Sequence, residues 1–546
     1  MPSAKHFNIA DLLEMVTDAV PDRTALVCAE QRATYRELDT RASQLAHFLR
    51  SRGVRPGQHV GLYLYNCNEY LEGVLACFKL RAVPVNVNYR YVRDELEYMF
   101  DNADMVACIH HREFVPHIAE VHASVASRLH TFISVEDGSA TDPQSIGAIE
   151  YEQALAGQSA ERDFGERSDD DLFILYTGGT TGMPKGVLWP HKAIFFAALG
   201  GGGMMSADGP CQKPDDIVSR ISPQPIAGMP LAPLMHGACW WYAMIQLLAG
   251  NKVVLNPHRH LIGEQVWDLV EKEQVNAVSI VGDAMAVPLL EALETHPGRW
   301  NLSALFNVGS GGAVFSEAKQ ERFRTLLPNV FVYNSFGSSE SGATGPVAPR
   351  DPSASGLGRM MQSEFLDVLV DDNGRLRRAR PGETGILARS GHIPIGYYKD
   401  PEKTAKTFVE ADGKQWILTG DAATLEEDGS TMTVFGRGSN CIESGGEKVF
   451  PEEVEQAIKA HPDVLDALVV GTPDERWGNK VTAVIATRGN QPLTLASLQQ
   501  EARKHIAGYK VPRELHIVAE VPRTPSGKPN YVKAKELALS GSHRVA

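Results

Sequence analysis

Between residues 34 and 110 the chain switches repeatedly between two hydrophobic periods, and this alternation constrains its architecture more than any other feature. Thr34-Tyr-Arg-Glu37 has the form of a capping box. The helix it opens carries Leu38, Ala42, Leu45 and Leu49 on one face, and Gly53 ends it. Residues 59–65 then read as a strand, 69–80 as a helix, 83–87 as a strand, 93–100 as a helix and 105–109 as a strand. The rhythm returns at 275–281 (strand), 284–295 (helix), 305–308 (strand) and 316–327 (helix). Strand–helix–strand succession of this kind predicts a largely parallel sheet with helices on its faces. Two such runs predict an α/β body of two similar layers.

A chain of 546 residues exceeds what one hydrophobic core supports, so at least two domains are expected. After Arg437 the texture becomes polar and glycine-rich through Gly446, and Pro451-Glu-Glu-Val-Glu455 opens a new helix. The expected division is a large domain over 1–437 and a small α+β domain over 438–546, with a hinge at 437–440.

Composition excludes some classes of partner. A net charge of −14 opposes bulk nucleic-acid binding and docking on anionic lipid, leaving at most a local basic patch near Arg220 or Arg259. The most apolar segment, 238–249, is broken by Gln246 and is shorter than the roughly 18–20 residues of a membrane span. It reads as a buried helix, so membrane contact is peripheral at most. Neither end of the chain reads as a secretory, peroxisomal or lipidation signal. Seven cysteines without a Cys-x-x-Cys pair suit small core residues in a reducing compartment, and a cytoplasmic location is expected.

The chemistry begins at Tyr176-Thr177-Gly178-Gly179-Thr180-Thr181-Gly182-Met183-Pro184-Lys185-Gly186, directly behind an apolar strand. Glycines and threonines leave a loop almost without side-chain bulk, so backbone N–H groups and hydroxyls can turn toward an anion. Lys185 adds a point charge suited to phosphate. Met183-Pro184 separates Gly182 from Lys185, so the loop is not a Walker A motif.

Downstream follow Phe336-Gly-Ser-Ser-Glu340, Thr419-Gly-Asp421, Gly436-Arg437, Gly445-Gly446-Glu447 and Pro525-Ser-Gly-Lys528. In this order the motifs resemble the ANL superfamily of adenylate-forming enzymes over about residues 30–535, and most of all bacterial fatty-acyl and steroid-side-chain CoA ligases. The resemblance implies an α/β fold with two layered subdomains, a smaller barrel-like β part and a mobile C-terminal domain. It also implies an AMP-forming acyl-CoA synthetase that uses ATP, Mg2+ and CoA on a carboxylic acid.

On that resemblance Thr177, Gly178, Gly179, Thr180, Thr181, Gly182 and Lys185 cradle the triphosphate, and Glu340 holds magnesium. Ser310, Gly311, Gly312, Asn334, Ser335, Phe336, Gly337, Ser338 and Ser339 line the adenine and the mouth of the acyl site. Phe336 and Ser339 stand where tyrosine and threonine are usual. Asp421 and Arg437 meet the ribose. Lys528, Thr177, Glu340 and His236 form the catalytic set, with Lys528 touching the carboxylate and α-phosphate during adenylation.

Ser444, Gly445, Gly446 and Glu447 correspond to the pantetheine path of CoA, and Ser439 to the hinge. The acyl pocket is expected at His236, Trp240, Gly282, Asp283 and Met285, with Trp240 as a gate. Asp283 replaces a common proline. These stretches are aromatic or small and carry no cation, which favours a long or bulky apolar acid. The matching stretch 230–241 has no carboxylate to grip an ammonium, so an amino-acid substrate is disfavoured. Two alternatives stay open: the same adenylation with a carrier-protein acceptor, and an inactive binding protein on this fold. A homodimer is the expected state.

Overall fold

The computed structural model describes residues 6–177, 183–203, 208–313, 315–347, 358–437, 440–444, 447–474, 477–489, 493–524, 528–541 and 544–545. Its body contains two eight-stranded sheets. In one, Thr24–Cys28, Lys252–Leu255, Ala227–Pro230, Ala277–Ile280, Asn307–Gly311 and Phe331–Ser338 run parallel, with antiparallel strands at both edges. In the other, His59–Tyr63 lies between Val83–Asn86 and Met105–His111, all parallel. Leu172–Thr177 continues that sheet in parallel beside Val83–Asn86.

The expected alternation is present. Thr34 and Glu37 form the reciprocal capping box of helix Tyr35–Ser51, and Leu38, Ala42, Leu45 and Leu49 are buried. Helices Asn68–Leu80 and Arg93–Asn102 and the strands between them fall within a few residues of their expected bounds. The second run gives Ala277–Ile280, Gly282–Thr295, Asn307–Gly311 and Glu317–Leu326.

Three apolar clusters show how the layers stack. The largest takes Leu26 and Val253 from one sheet and Val60, Phe173 and Val187 from the other, so it lies between them. It encloses helices Asn68–Leu80 and Gly237–Leu248. Helix Gly237–Leu248 is apolar nearly all round, as a helix covered on every side must be. The outer faces of the two sheets carry separate cores under helices Gly263–Lys272 and Gly282–Thr295 on one side and Arg93–Asn102 and Val115–Val125 on the other.

Residues 358–437 build a seven-stranded antiparallel sheet, the smaller β part of the body. Beyond Arg437 the chain enters a six-stranded sheet with helices Pro451–Ile458, Leu495–Ala502 and Tyr531–Ser540. Among the described residues no disulfide forms, and six of the seven cysteines are buried. Among the described residues no helix is long and apolar enough to cross a membrane.

Candidate active site

A cavity of about 2080 Å³ opens where both large sheets, the antiparallel sheet and the C-terminal region meet. Leu175, Ser310, Val434 and Lys528 line it, one from each part. The strands entering and leaving the glycine–threonine loop are an antiparallel pair in which Thr177 faces Lys185. Both residues line the cavity, while Gly178, Gly179, Thr180, Thr181 and Gly182 fall outside the described residues.

Asn86 braces the base of this hairpin. Its Oδ1 accepts from the Tyr176 N–H at 2.7 Å, and its Nδ2 donates to the carbonyls of Tyr176 (2.9 Å) and Met235 (2.8 Å). The Tyr98 hydroxyl donates to the Pro184 carbonyl at 2.9 Å on the other limb. Lys185 Nζ pairs with Asp400 at 2.9 Å, a hydrogen bond that raises the ammonium pKa. A phosphate arriving at Lys185 would have to compete with Asp400 for this cation.

The opposite wall comes from strands Asn307–Gly311 and Phe331–Ser338. Ser310 Oγ accepts from the Gly282 N–H at 2.9 Å, and Ser335 Oγ donates to the Ser310 carbonyl at 2.8 Å. A Cβ on Gly311 would lie 2.7 Å from Ser335 Oγ, so a side chain there would push this hydroxyl off the Ser310 carbonyl. Gly312, Asn334, Phe336, Gly337, Ser338 and Ser339 continue the lining. Thr344 Oγ1 donates to the Phe336 carbonyl at 2.7 Å and Trp189 Nε1 to that of Ser339 at 2.8 Å, which fixes the turn leading to Glu340. The Tyr397 hydroxyl then donates to Glu340 Oε1 at 2.9 Å and orients the carboxylate at the cavity edge.

Asp421 sits on strand Lys414–Leu425, buried and lining the cavity, opposite Arg437 in the ladder. The side chain of Arg437 lies outside the described residues, as does Ser439. His236 precedes helix Gly237–Leu248. Burial, helped by the nearby charges of Lys528 and Arg90, pushes its imidazolium down to about 3. His236 is therefore neutral at physiological pH, and its buried Nε2 has no hydrogen-bond partner among the described residues. A neutral imidazole in the field of Lys528 leaves that cation's charge unopposed by a second one at this position.

The region expected to form the acyl pocket differs from expectation in three residues. Trp240 is buried at 2 % exposure, stacked on Phe173 (4.4 Å, 17°) and edge-on to Phe78 (6.2 Å, 75°). It belongs to the core between the sheets. Trp241, one position and about 100° further round the helix, lines the cavity instead. Gly282 is buried with φ of 64° and holds Ser310; it starts the next helix and does not reach the cavity. Asp283 points away too, accepting from Ser316 N (2.9 Å) and Oγ (3.1 Å). Met285 and His236 do line the recess, together with Trp241, Val281, Tyr242 and Tyr333.

Ser444 is buried in strand Ile442–Ser444 and pairs with exposed Glu447; neither lines the cavity, and Gly445 and Gly446 lie outside the described residues. Among the described residues no three His, Cys, Asp or Glu side chains gather as a metal site. A single hard carboxylate such as Glu340 can share a cation whose other oxygen ligands come with a bound nucleotide.

Sequence reasoning missed Asn86, Tyr98, Trp189, Tyr397 and Asp400. Each acts through a hydrogen bond or ion pair to a residue far along the chain, and nothing local marks it.

One cavity thus gathers Thr177 and Lys185 from the hairpin, Asp421 from the antiparallel sheet and Lys528 from the C-terminal unit, a set of hydroxyls and charges of the kind a nucleotide-using enzyme needs. The family model for AMP-binding enzymes matches residues 13–398, and that for the AMP-binding enzyme C-terminal domain matches 453–528. The chain is 45% identical to a 3-oxocholest-4-en-26-oate–CoA ligase of Rhodococcus rhodochrous, over 97% of this chain and 95% of that protein. It is 44% identical to a medium/long-chain-fatty-acid–CoA/3-oxocholest-4-en-26-oate–CoA ligase of Mycobacterium tuberculosis, over 97% and 96%. The crystal structure of the anthranilate CoA ligase AuaEII with anthranoyl-AMP superposes with a TM-score of 0.84 at 23% identity, covering 99% of each chain. The protein belongs to the AMP-binding enzyme family, in its acyl-CoA synthetase branch, and is an ATP- and CoA-using acid–thiol ligase.

Proposed function

We propose that the enzyme joins a medium- or long-chain fatty acid, or an acid on a sterol side chain, to CoA through an acyl-adenylate. The observation that supports this reading is one cavity in which Lys528, Thr177, His236, Glu340 and Asp421 converge and which continues into the recess of Trp241, Val281, Met285 and Tyr333. The two bacterial ligases act, by their names, on fatty or cholestenoic acids, which agrees with an apolar recess.

In the first half-reaction a carboxylate oxygen attacks the α-phosphorus of ATP, and the bond to the β-phosphate oxygen breaks to release pyrophosphate. Negative charge builds on the α-phosphate oxygens, and Lys528 supplies the matching cation. Magnesium bound with the triphosphate would neutralise phosphate charge, and Glu340 would hold it. Asp421 and Arg437 anchor the ribose, and Phe336 carries the adenine. In the second half-reaction the CoA sulfur attacks the acyl carbonyl and AMP leaves. For that step the small domain turns about 437–440, carrying Lys528 away and bringing Ser444–Glu447 forward. The enzyme works in the cytosol, as a homodimer.

Pyrophosphate release measured over short, medium, long-chain and sterol-side-chain acids, with and without CoA, tests the reading. Turnover should rise with apolar length and require CoA for thioester. A flat profile from acetate to palmitate rejects the substrate class. Thioester formed only on a pantetheinylated carrier protein rejects free CoA as acceptor.

A further inference from the structure

Asp283, which proves not to belong to the acyl recess, sits on the large domain where the small domain docks. Its Oδ1 is occupied by Ser316, but no hydrogen-bond donor among the described residues reaches the buried Oδ2. The nearest ion-pairing cation is Lys459 Nζ at 3.4 Å, contributed by the small domain just past helix Pro451–Ile458. Both side chains are almost fully buried, at 3% and 2% exposure.

Lys459 also pairs with Asp466 at 3.0 Å, and Arg523 donates to Asp466 Oδ2 through Nε (2.9 Å) and a terminal nitrogen (2.6 Å). Arg523 opens the catalytic hairpin. It bridges to Pro529, the Thr524 N–H donates to the Lys528 carbonyl at 2.7 Å, and the Lys528 N–H donates to Thr524 Oγ1 at 3.2 Å. Ion pairs thus lead from the large domain to Arg523, and its chain neighbour Thr524 is hydrogen-bonded to the backbone of Lys528.

We infer that Asp283 is a positioning residue for adenylation, the large domain's half of a buried ionic latch to Lys459 that holds the Lys528 hairpin over the cavity. The inference rests on the reading of Lys528 as the adenylation lysine. The two halves of the latch are not equal when separated. Lys459 keeps Asp466 within its own domain, with Glu455 also in its field, whereas Asp283 Oδ2 loses its ion-pair partner. Lys319, buried on the large domain, lies in the field of Asp283 but also of Lys459, Arg322 and Arg488. Docking therefore compensates a carboxylate that is otherwise poorly paired, and undocking exposes it to water. The latch favours the closed arrangement without locking it.

Asp283→Asn tests this cleanly, because the amide oxygen still accepts from Ser316 while the charge facing Lys459 is removed. Acyl-adenylate formation, read as pyrophosphate exchange, should fall by at least about tenfold, the scale expected when a buried pair loses one partner. Conversion of a supplied acyl-adenylate and CoA to thioester should stay within about twofold of wild type, since Lys528 is not needed there. Lys459→Met should show the same split, and the double variant should be no worse than either single, as for residues acting as one unit. Solution scattering with ATP and a non-reactive acyl-sulfamate analogue should show the Asp283→Asn protein more extended than wild type. Unchanged adenylation, equal loss in both half-reactions, additive losses in the double variant, or identical scattering would each overturn the latch. Wild-type exchange with the same acid is the control: its absence rejects the proposed function itself and is distinct from failure of the latch.

Discussion

Trp241, not its neighbour Trp240, should set the length of acid the enzyme accepts. The two indoles face opposite environments on one helix, Trp240 in the core between the sheets and Trp241 on the cavity wall. A buried aromatic side chain covers roughly 150–250 Å² of apolar surface, worth about 4–6 kcal/mol at about 25 cal/mol per Å². If a longer acyl chain fills half of the space left by Trp241→Ala, the transition state for that chain gains about 2–3 kcal/mol relative to a shorter one. The ratio of kcat/KM for palmitate over decanoate should therefore rise by roughly 30- to 150-fold, a ratio that loss of folded protein cannot alter. Trp240→Ala should instead cost about 3–5 kcal/mol of stability, as large aromatic deletions in cores do, and leave the ratio near wild type. Competition between two labelled acids in one reaction measures the ratio directly, and thermal melts measure the second effect. A shift in chain preference from Trp240→Ala alone would refute the placement of both residues.

Lys528→Ala should lower adenylation by about 10²-fold or more, the scale of one lost electrostatic stabiliser, and spare thioester formation from a supplied adenylate; parallel loss in both half-reactions contradicts its assigned role. Ser439→Pro should slow the second half-reaction and leave the first largely intact, because proline fixes one backbone dihedral of the hinge. Stopped-flow thioester formation checks this, and an unaltered rate sinks the hinge. Burial holds His110, His111 and His191 down to about 4 and His236 to about 3. Their folded values lie below the ordinary 6.5, so the unfolded chain takes up protons first and stability drains as pH falls from about 6.5 toward about 4, by up to about 2 kcal/mol per histidine at pH 5. Thermal midpoints between pH 7.5 and 5 should fall accordingly and fall less in His191→Gln; a flat profile contradicts the burial of these rings in neutral form.

The hydrophobic periods alone determined the layered α/β body, because each amphipathic face must be covered and a strand–helix–strand succession has few ways to cover it. The capping box at Thr34 and the face of Leu38, Ala42, Leu45 and Leu49 were legible for the same local reason. Five residues that the fold gathers around one cavity, Thr177, Lys185, Glu340, Asp421 and Lys528, also stood out in the sequence, because short motifs carry them.

Tertiary structure decided what those residues meet. Trp240 and Trp241 lie on a helix apolar on all sides, so no period could say which faced the core and which the cavity. Asp283, adjacent in sequence to the expected pocket, is turned by helix Gly282–Thr295 toward Lys459, a partner far along the chain. Asn86 and Asp400 gain their roles in the same way, through Met235 and Lys185. A side chain's type is a local property, but the charge or cavity it faces is set by which distant segment packs against it, and only the folded chain brings those segments together.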